Sequence, residues 1–225
     1  MAHFSPDFLQ FFIDLAPNNH KEWFDENRQR YHKNVKEPFE NFVDALIEAL
    51  KPYDKGIPED LTYKNCVFRI NRDIRFSKDK TPYKMNRSAV IGPQGKNDHG
   101  IPSLYFEAGP EHFRIYTGVY SPQKHEIESI RHYIADHSDE LDKIIIADQF
   151  KKEFGEVKGD KYKVLPKAYK AVAEKQPLIL NKNWYVFKTY DPKVILQEDL
   201  IDIVVNDFKT IQPFQDYFRN ALGIK

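Results

Sequence analysis

The chain has 225 residues, above the usual domain length yet within reach of a single α/β or α+β domain. Its 34 basic and 34 acidic side chains cancel at neutral pH, which excludes a whole-molecule field that steers onto nucleic acid or anionic lipid. A single cysteine, Cys66, excludes an internal disulfide and any zinc site built on paired thiolates.

The opening "MAHFSPDFLQFF" lacks the basic region, long apolar core and cleavage site of a signal peptide. No run reaches the ~20 apolar residues of a membrane span. The expectation is a soluble, cytoplasmic protein with no membrane partner. Ser5-Pro6 predicts a helix start, followed by Phe8, Leu9, Phe11, Phe12 and Leu15 on one face. "APNNHKEWF" interrupts the helix, with Asn18 or Asn19 as the next cap. From Pro38, the positions Phe39, Phe42, Val43, Leu46, Ile47 and Leu50 repeat at helical spacing. Residues 5–52 therefore read as helical.

At Tyr63 the apolar period shortens to two. "CVFRINRDIRF", "MNRSAVIG", "SLYFEAG" and "HFRIYTGVY" read as strands over 63–120, joined by short loops that suit an antiparallel meander. "GPQGKNDHG" reads as a hairpin tip; it lacks the spacing and terminal Ser/Thr of a phosphate-binding P-loop. Helix resumes after Ser121-Pro122, and Ser138 caps a further helix. A strand is placed near 184–190, and helix runs from Gln197 to Leu222 with its last segment opening at Pro213. Residues 121–222 are thus mainly helical. The fold class is α+β, a single domain over 1–225 with a central, mainly antiparallel sheet between N-terminal and C-terminal helices.

The candidate site is the charged strand 67–75 with the loop 77–84. As a strand, it sets Phe68, Ile70, Arg72, Ile74 and Phe76 on a core face and Val67, Arg69, Asn71, Asp73 and Arg75 on a polar one. Arg72 intrudes on the core face and should be buried and paired. Residues 64–87 carry eight cations against Asp73 and Asp79, so the basic excess of this neutral chain is local. Arg69 and Arg75 are the proposed guanidinium forks for an anion, with Lys80 and Lys84 closing from the loop. Asp73 and Tyr83 are the catalytic candidates if the protein is an enzyme, and Arg72 and Asp79 are structural. The opposing view makes the whole set an internal ion-pair network.

The run Arg69-x-x-Arg72-Asp73-x-Arg75-Phe76-Ser77-x-Asp79-Lys80-x-Pro82-Tyr83-Lys84 resembles the signature of DUF2461, a bacterial family of conserved proteins of unknown function. "NNHKEWF" and "GVYSP" are also similar to it, and "LPKAY" more loosely. The resemblance spans essentially the whole chain. It implies a bacterial single-domain protein and singles out the charged segment, without implying a reaction.

Other signals are weaker. His125, His132 and His137 lack a His-Glu-x-x-His pattern, and Asp73, Asp79 and Glu107 are too surrounded by cations to favour Mg²⁺, so no metal and no cofactor is assigned. Cys66 reads as inert packing. The expected partner is a phosphate- or carboxylate-bearing small molecule. Nucleic acid is permitted by the basic 64–87 segment and its interleaved aromatics, but the balanced total charge and the lack of a reading motif disfavour it.

Overall fold

The computed structural model describes residues 2–98, 100–164 and 166–224. His99 of the "GPQGKNDHG" loop and Leu165 of "LPKAY" lie outside the described residues. The N-terminal helices are α1 (Pro6–Leu15), α2 (Lys21–Glu26), α3 (Arg28–Tyr31) and α4 (Glu37–Leu50), with a π-helical turn over His32–Lys36 feeding the last of them. The expected apolar stripes of α1 and α4 are the buried ones, Phe8 to Leu15 and Phe39 to Leu50. The cap of α2 is His20, whose ring accepts from the Trp23 amide, rather than Asn18 or Asn19. Asn19 is used elsewhere: its side-chain amide exchanges two hydrogen bonds with the backbone of Tyr83.

A short helix α5 (Tyr63–Cys66) precedes four strands, β1 (Arg87–Ile91), β2 (Leu104–Ala108), β3 (Phe113–Val119) and, later in the chain, β4 (Trp184–Tyr190). They form an antiparallel sheet in sequence order. Between β3 and β4 lie α6 (Lys124–Asp136), α7 (Ser138–Ile146), α8 (Asp148–Phe154) and α9 (Lys170–Lys175), and α10 (Leu200–Ala221) closes the fold. The protein is thus α+β, as the apolar periods require. No helix among the described residues is long and apolar enough to cross a membrane.

Two expectations are corrected. Residues 67–75 are not a strand. Only isolated bridges form, Val67 to Ala89 and Asn71 to Tyr83. The segment folds back on itself, with the Lys84 amide donating to Ile70 O and the Arg72 amide to Pro82 O. Beyond that point side chains satisfy the backbone: Asp73 accepts from the Arg75 amide, Asp79 from the Thr81 amide, and Lys80 donates to Ile74 O. Such local bonds compete with a ladder. Burial follows: Ile70 is buried, but Phe76 is 96% exposed. The second correction is Pro213, which lies inside α10 instead of starting a segment. It sits on the exposed side of the helix, where solvent can reach the carbonyl its missing N–H frees.

Strand alternation sorts the sheet into two faces. Ala89, Ile91, Leu104, Phe106, Phe113, Ile115, Val119, Trp184 and Val186 are buried on one face, where the core lies. Phe106 meets Phe39 and Phe42 of α4 there. Polar groups on that face are paired: Gln215 of α10 donates to Thr117, and Lys188 meets Asp207 and Glu153. The bridge at Val67 covers part of β1's outer edge, and one at Lys158 covers part of β4's, which blunts both edges against further pairing. The other face stays partly open.

Candidate functional site

The register of the open face places its side chains in rows. Ser88, Glu107, Arg114 and Thr189 form one row across the four strands. Val90, Tyr105, Tyr116 and Phe187 form the next, and Gly118 beside Tyr185 begins a third. Neighbouring rings touch along the aromatic row: Tyr105 and Tyr116 have centroids 5.4 Å apart, as do Tyr116 and Phe187. Phe68, on the segment bridging β1, extends the row at 6.3 Å from Tyr105.

Over this face lies a cavity of about 430 Å³. Its walls are Phe68, Tyr105, Tyr116, Tyr120 and Tyr185, and the loop segments 95–98 and 100–103 form its rim. That loop is packed, not a free tip. Gly95 takes φ +58° with its Cα hydrogen against Asn65 O, where any Cβ would clash at 2.6 Å. Lys96 donates to Lys64 O at 2.8 Å, and Asp98 accepts from Ser103 at 2.9 Å. A second cleft adjoins the cavity, sharing Tyr105 and Glu107 with it; the charged loop supplies Arg72, Asp79, Thr81, Tyr83 and Lys84 as its other wall.

Glu107 is the polar centre common to both. Its carboxylate contacts the Tyr105 hydroxyl at 2.8 Å, His112 Nε2 at 2.8 Å and Asn86 Nδ2 at 3.4 Å. Its acceptor positions are thus largely filled. Burial, then the charge of Glu107, pushes the Tyr105 phenol well above its usual range, so it remains a donor. Lys84 is different. Its ammonium stands 5.3 Å from the Phe68 ring and has no hydrogen bond or ion pair among the described residues. Burial, then repulsion from Arg87 and Arg69, pushes its pKa down.

The other anticipated residues separate. Arg75 closes an exposed ion pair with Asp73 at 2.7 Å. The Arg75 guanidinium holds the Asp73 carboxyl below its usual range. Neither residue lines the cavity or the cleft. Lys80 is tied to Ile74 O. Tyr83 is buried and stacks on Phe24 with centroids 4.1 Å apart, docking the loop onto α2. Arg72 is paired as expected, to Asp79 and to Thr81 O, but its side chain keeps 28% exposure at the loop's neck and does not enter the core. Arg69 is exposed and turns to a separate groove described below. Cys66 is fully buried, and desolvation pushes its thiol up to about 12, which makes it inert. Among the described residues no group of three or more His, Cys, Asp or Glu is placed to hold a metal.

The cavity-forming residues Tyr105, Glu107, Tyr116 and Gly118 lay in strands that alternation does identify. The charge density of 67–84 drew attention from them. Lys96 and Tyr185 carry no local signal, because only tertiary contact brings them to the sheet face.

The loop's own clamp has a pH signature. The Thr81 amide, then Arg72, lowers the Asp79 carboxyl to about 2. Its unfolded value is about 3.9. A depressed folded pKa contributes order above the unfolded value and loses it as pH falls toward the folded one. The 72–81 clamp should therefore loosen between about pH 4 and 2. Carbon-detected NMR of the Asp79 carboxyl, followed with the Thr81 amide shift, checks this; a midpoint near 4 with no amide response would refute the clamp.

Neither the curated proteins nor the solved structures contain a match to this chain. A family model described as "Conserved hypothetical protein (DUF2461)" matches residues 7–217. That span takes in every strand among the described residues, the charged loop and the residues lining the cavity, and the chain accordingly belongs to the DUF2461 family.

Proposed function

We propose that this protein binds a small organic molecule carrying a planar ring and an anionic group, a carboxylate or phosphate. The ring lies among Phe68, Tyr105, Tyr116, Tyr120 and Tyr185, and the anion reaches Lys84 in the adjoining cleft. An apolar, aromatic-walled cavity with few polar groups is the general form of a small-molecule site. The observation that carries the anionic part is Lys84. A half-buried ammonium without an acceptor is costly, and Glu107, which attracts Lys84 only from beyond ion-pair distance, is committed to Tyr105, His112 and Asn86. An anionic ligand supplies the missing partner. The free, buried thiol of Cys66 suits a reducing, cytoplasmic setting.

A thermal-shift screen of aromatic and heteroaromatic carboxylates and phosphates tests this, with hits measured by calorimetry. Lys84→Met should weaken a hit at least about tenfold, roughly 1.4 kcal/mol. Because it removes an unpaired cation, the same variant should melt no lower than the wild type. Hits that bind Lys84→Met as well as the wild type would sink the assignment, as would a marked loss of stability in that variant.

A further inference from the structure

On the helical side of the 63–71 segment lies a second groove, of about 460 Å³, between that segment and the α2–α4 stretch. Its floor includes Arg87, the first residue of β1, which points to the core face of the sheet and is only 3% exposed. Arg87 donates to Phe68 O at 2.8 Å and lies 5.4 Å from the Phe39 ring. Among the described residues its Nε has no hydrogen-bond partner, and its guanidinium forms no ion pair. Burial depresses its pKa, with Glu40 attracting it only from beyond ion-pair distance.

A buried arginine without a carboxylate is unusual in a fold, because burial leaves its charge uncompensated. The rest of the groove does not compensate it. Lys36, Lys64, Arg69 and Lys96 also line it, and among the described residues none has an ion-pair partner, Lys96 donating only to Lys64 O. Arg28, at one end, is already matched by Asp25. Glu40 is the one carboxylate in the lining among the described residues. Four separate segments thus converge unpaired cations on one concavity: the π-helical turn (Lys36), the 63–71 segment (Lys64, Arg69), β1 (Arg87) and the 92–98 loop (Lys96).

We infer that this groove is a binding site for a phosphoryl group of at least two negative charges, distinct from the aromatic cavity although Phe68 and Lys96 border both. A monocarboxylate offsets one of these cations and offers two oxygens. A phosphoryl dianion offsets two and offers three oxygens to donors that approach from different directions. The buried Arg87 fork would stand behind the anion, and the rim cations would meet its outer oxygens.

Pyrophosphate is the probe, titrated into the full chain by calorimetry at low salt, with a short single-stranded oligonucleotide as the second arm. The expected result is saturable binding that weakens about tenfold or more on Arg69→Gln and on Lys36→Gln, and falls steeply with added salt. Both substitutions lie at the rim, so they should fold even if Arg87→Met does not. Lys84→Met should weaken pyrophosphate less than either, which separates this site from the cleft. Pyrophosphate binding tighter than the oligonucleotide assigns the phosphoryl group to a small molecule; the reverse assigns it to a polynucleotide backbone. No binding of either probe at about 10 mM, or binding indifferent to both rim substitutions, overturns the inference. So does a loss confined to Lys84→Met.

Discussion

Asp54→Ala should destabilise the protein by roughly 3–5 kcal/mol, the usual cost of stranding one member of a buried ion pair. Asp54 follows α4 and is 4% exposed; Arg219, in α10, is 6% exposed. Two hydrogen bonds of 2.7 and 3.0 Å join them in a fork. Arg219 Nε also donates to Pro102 O at 3.0 Å, and Asp54 accepts from the Gly56 amide at 2.9 Å. The pair therefore ties the first and last long helices to the base of the loop that rims the aromatic cavity. Truncating the acid leaves a buried guanidinium with one carbonyl. Replacing both partners by apolar residues, Asp54→Leu with Arg219→Met, should cost less than either single change, because no charge is left stranded. Urea melts of the three variants check this. A single variant within about 1 kcal/mol of wild type would mean the pair is better hydrated than its burial indicates.

How far the fold was legible depends on what competes with apolar periodicity. In "SLYFEAG" and "HFRIYTGVY" nothing competes, and β2 and β3 lie where alternation places them. In 67–76 the alternation is present in letters but not in the fold. Asp73, Asp79 and Lys80 bind backbone groups that a strand would have used, and Phe76 ends in solvent. A strand pattern dense in Asp, Asn and Arg is thus weaker evidence than one of equal apolar content without them. The same competition explains the dispersal of the expected anion site. Arg75 was satisfied two residues away by Asp73, and Arg72 by Asp79. Lys84 and Arg87, with no acid within four residues, are left without an ion pair among the described residues, and so are Arg69 and Lys96, although Asp73 and Asp98 lie close to them in sequence. Local charge bookkeeping, done residue by residue rather than over the whole 64–87 block, points toward Lys84 and Arg87; only the fold shows that Arg69 and Lys96 stay without an ion pair.

The cavity was less legible for a different reason. Its walls come from β2 and β3, from Phe68 before the sheet and from Tyr185 some 65 residues beyond β3, where β4 returns to pair with it. The aromatic row exists only once β4 takes its place at the end of a meander whose last connection holds four α-helices among the described residues. No local window contains that information.

Gly118→Ala should be the most damaging single methyl in the sheet, costing roughly 2–5 kcal/mol from backbone strain and overpacking together. Gly118 is in β3 opposite Tyr185, with φ +124°, a conformation L-residues rarely adopt. A Cβ there would lie 2.1 Å from Trp184 O and 2.7 Å from Tyr185 Cα. Both are backbone atoms of β4, so no rotamer change relieves the contact. The strands must part. They part at the point where Tyr185 is also held on its other side by two backbone hydrogen bonds to Lys158, at 2.8 and 3.1 Å. Tyr185 and Tyr120, whose rings meet at 5.7 Å, line the cavity beside this glycine. Displacing β4 moves both. The substitution should therefore lower stability and, in whatever fraction still folds, weaken a ring-bearing ligand while leaving pyrophosphate in the basic groove nearly unaffected. Urea melts give the first quantity and paired calorimetric titrations the second. Wild-type stability in Gly118→Ala would show that β3 and β4 are not held in this register. Equal loss of both ligands would show that the cavity and the groove move as one.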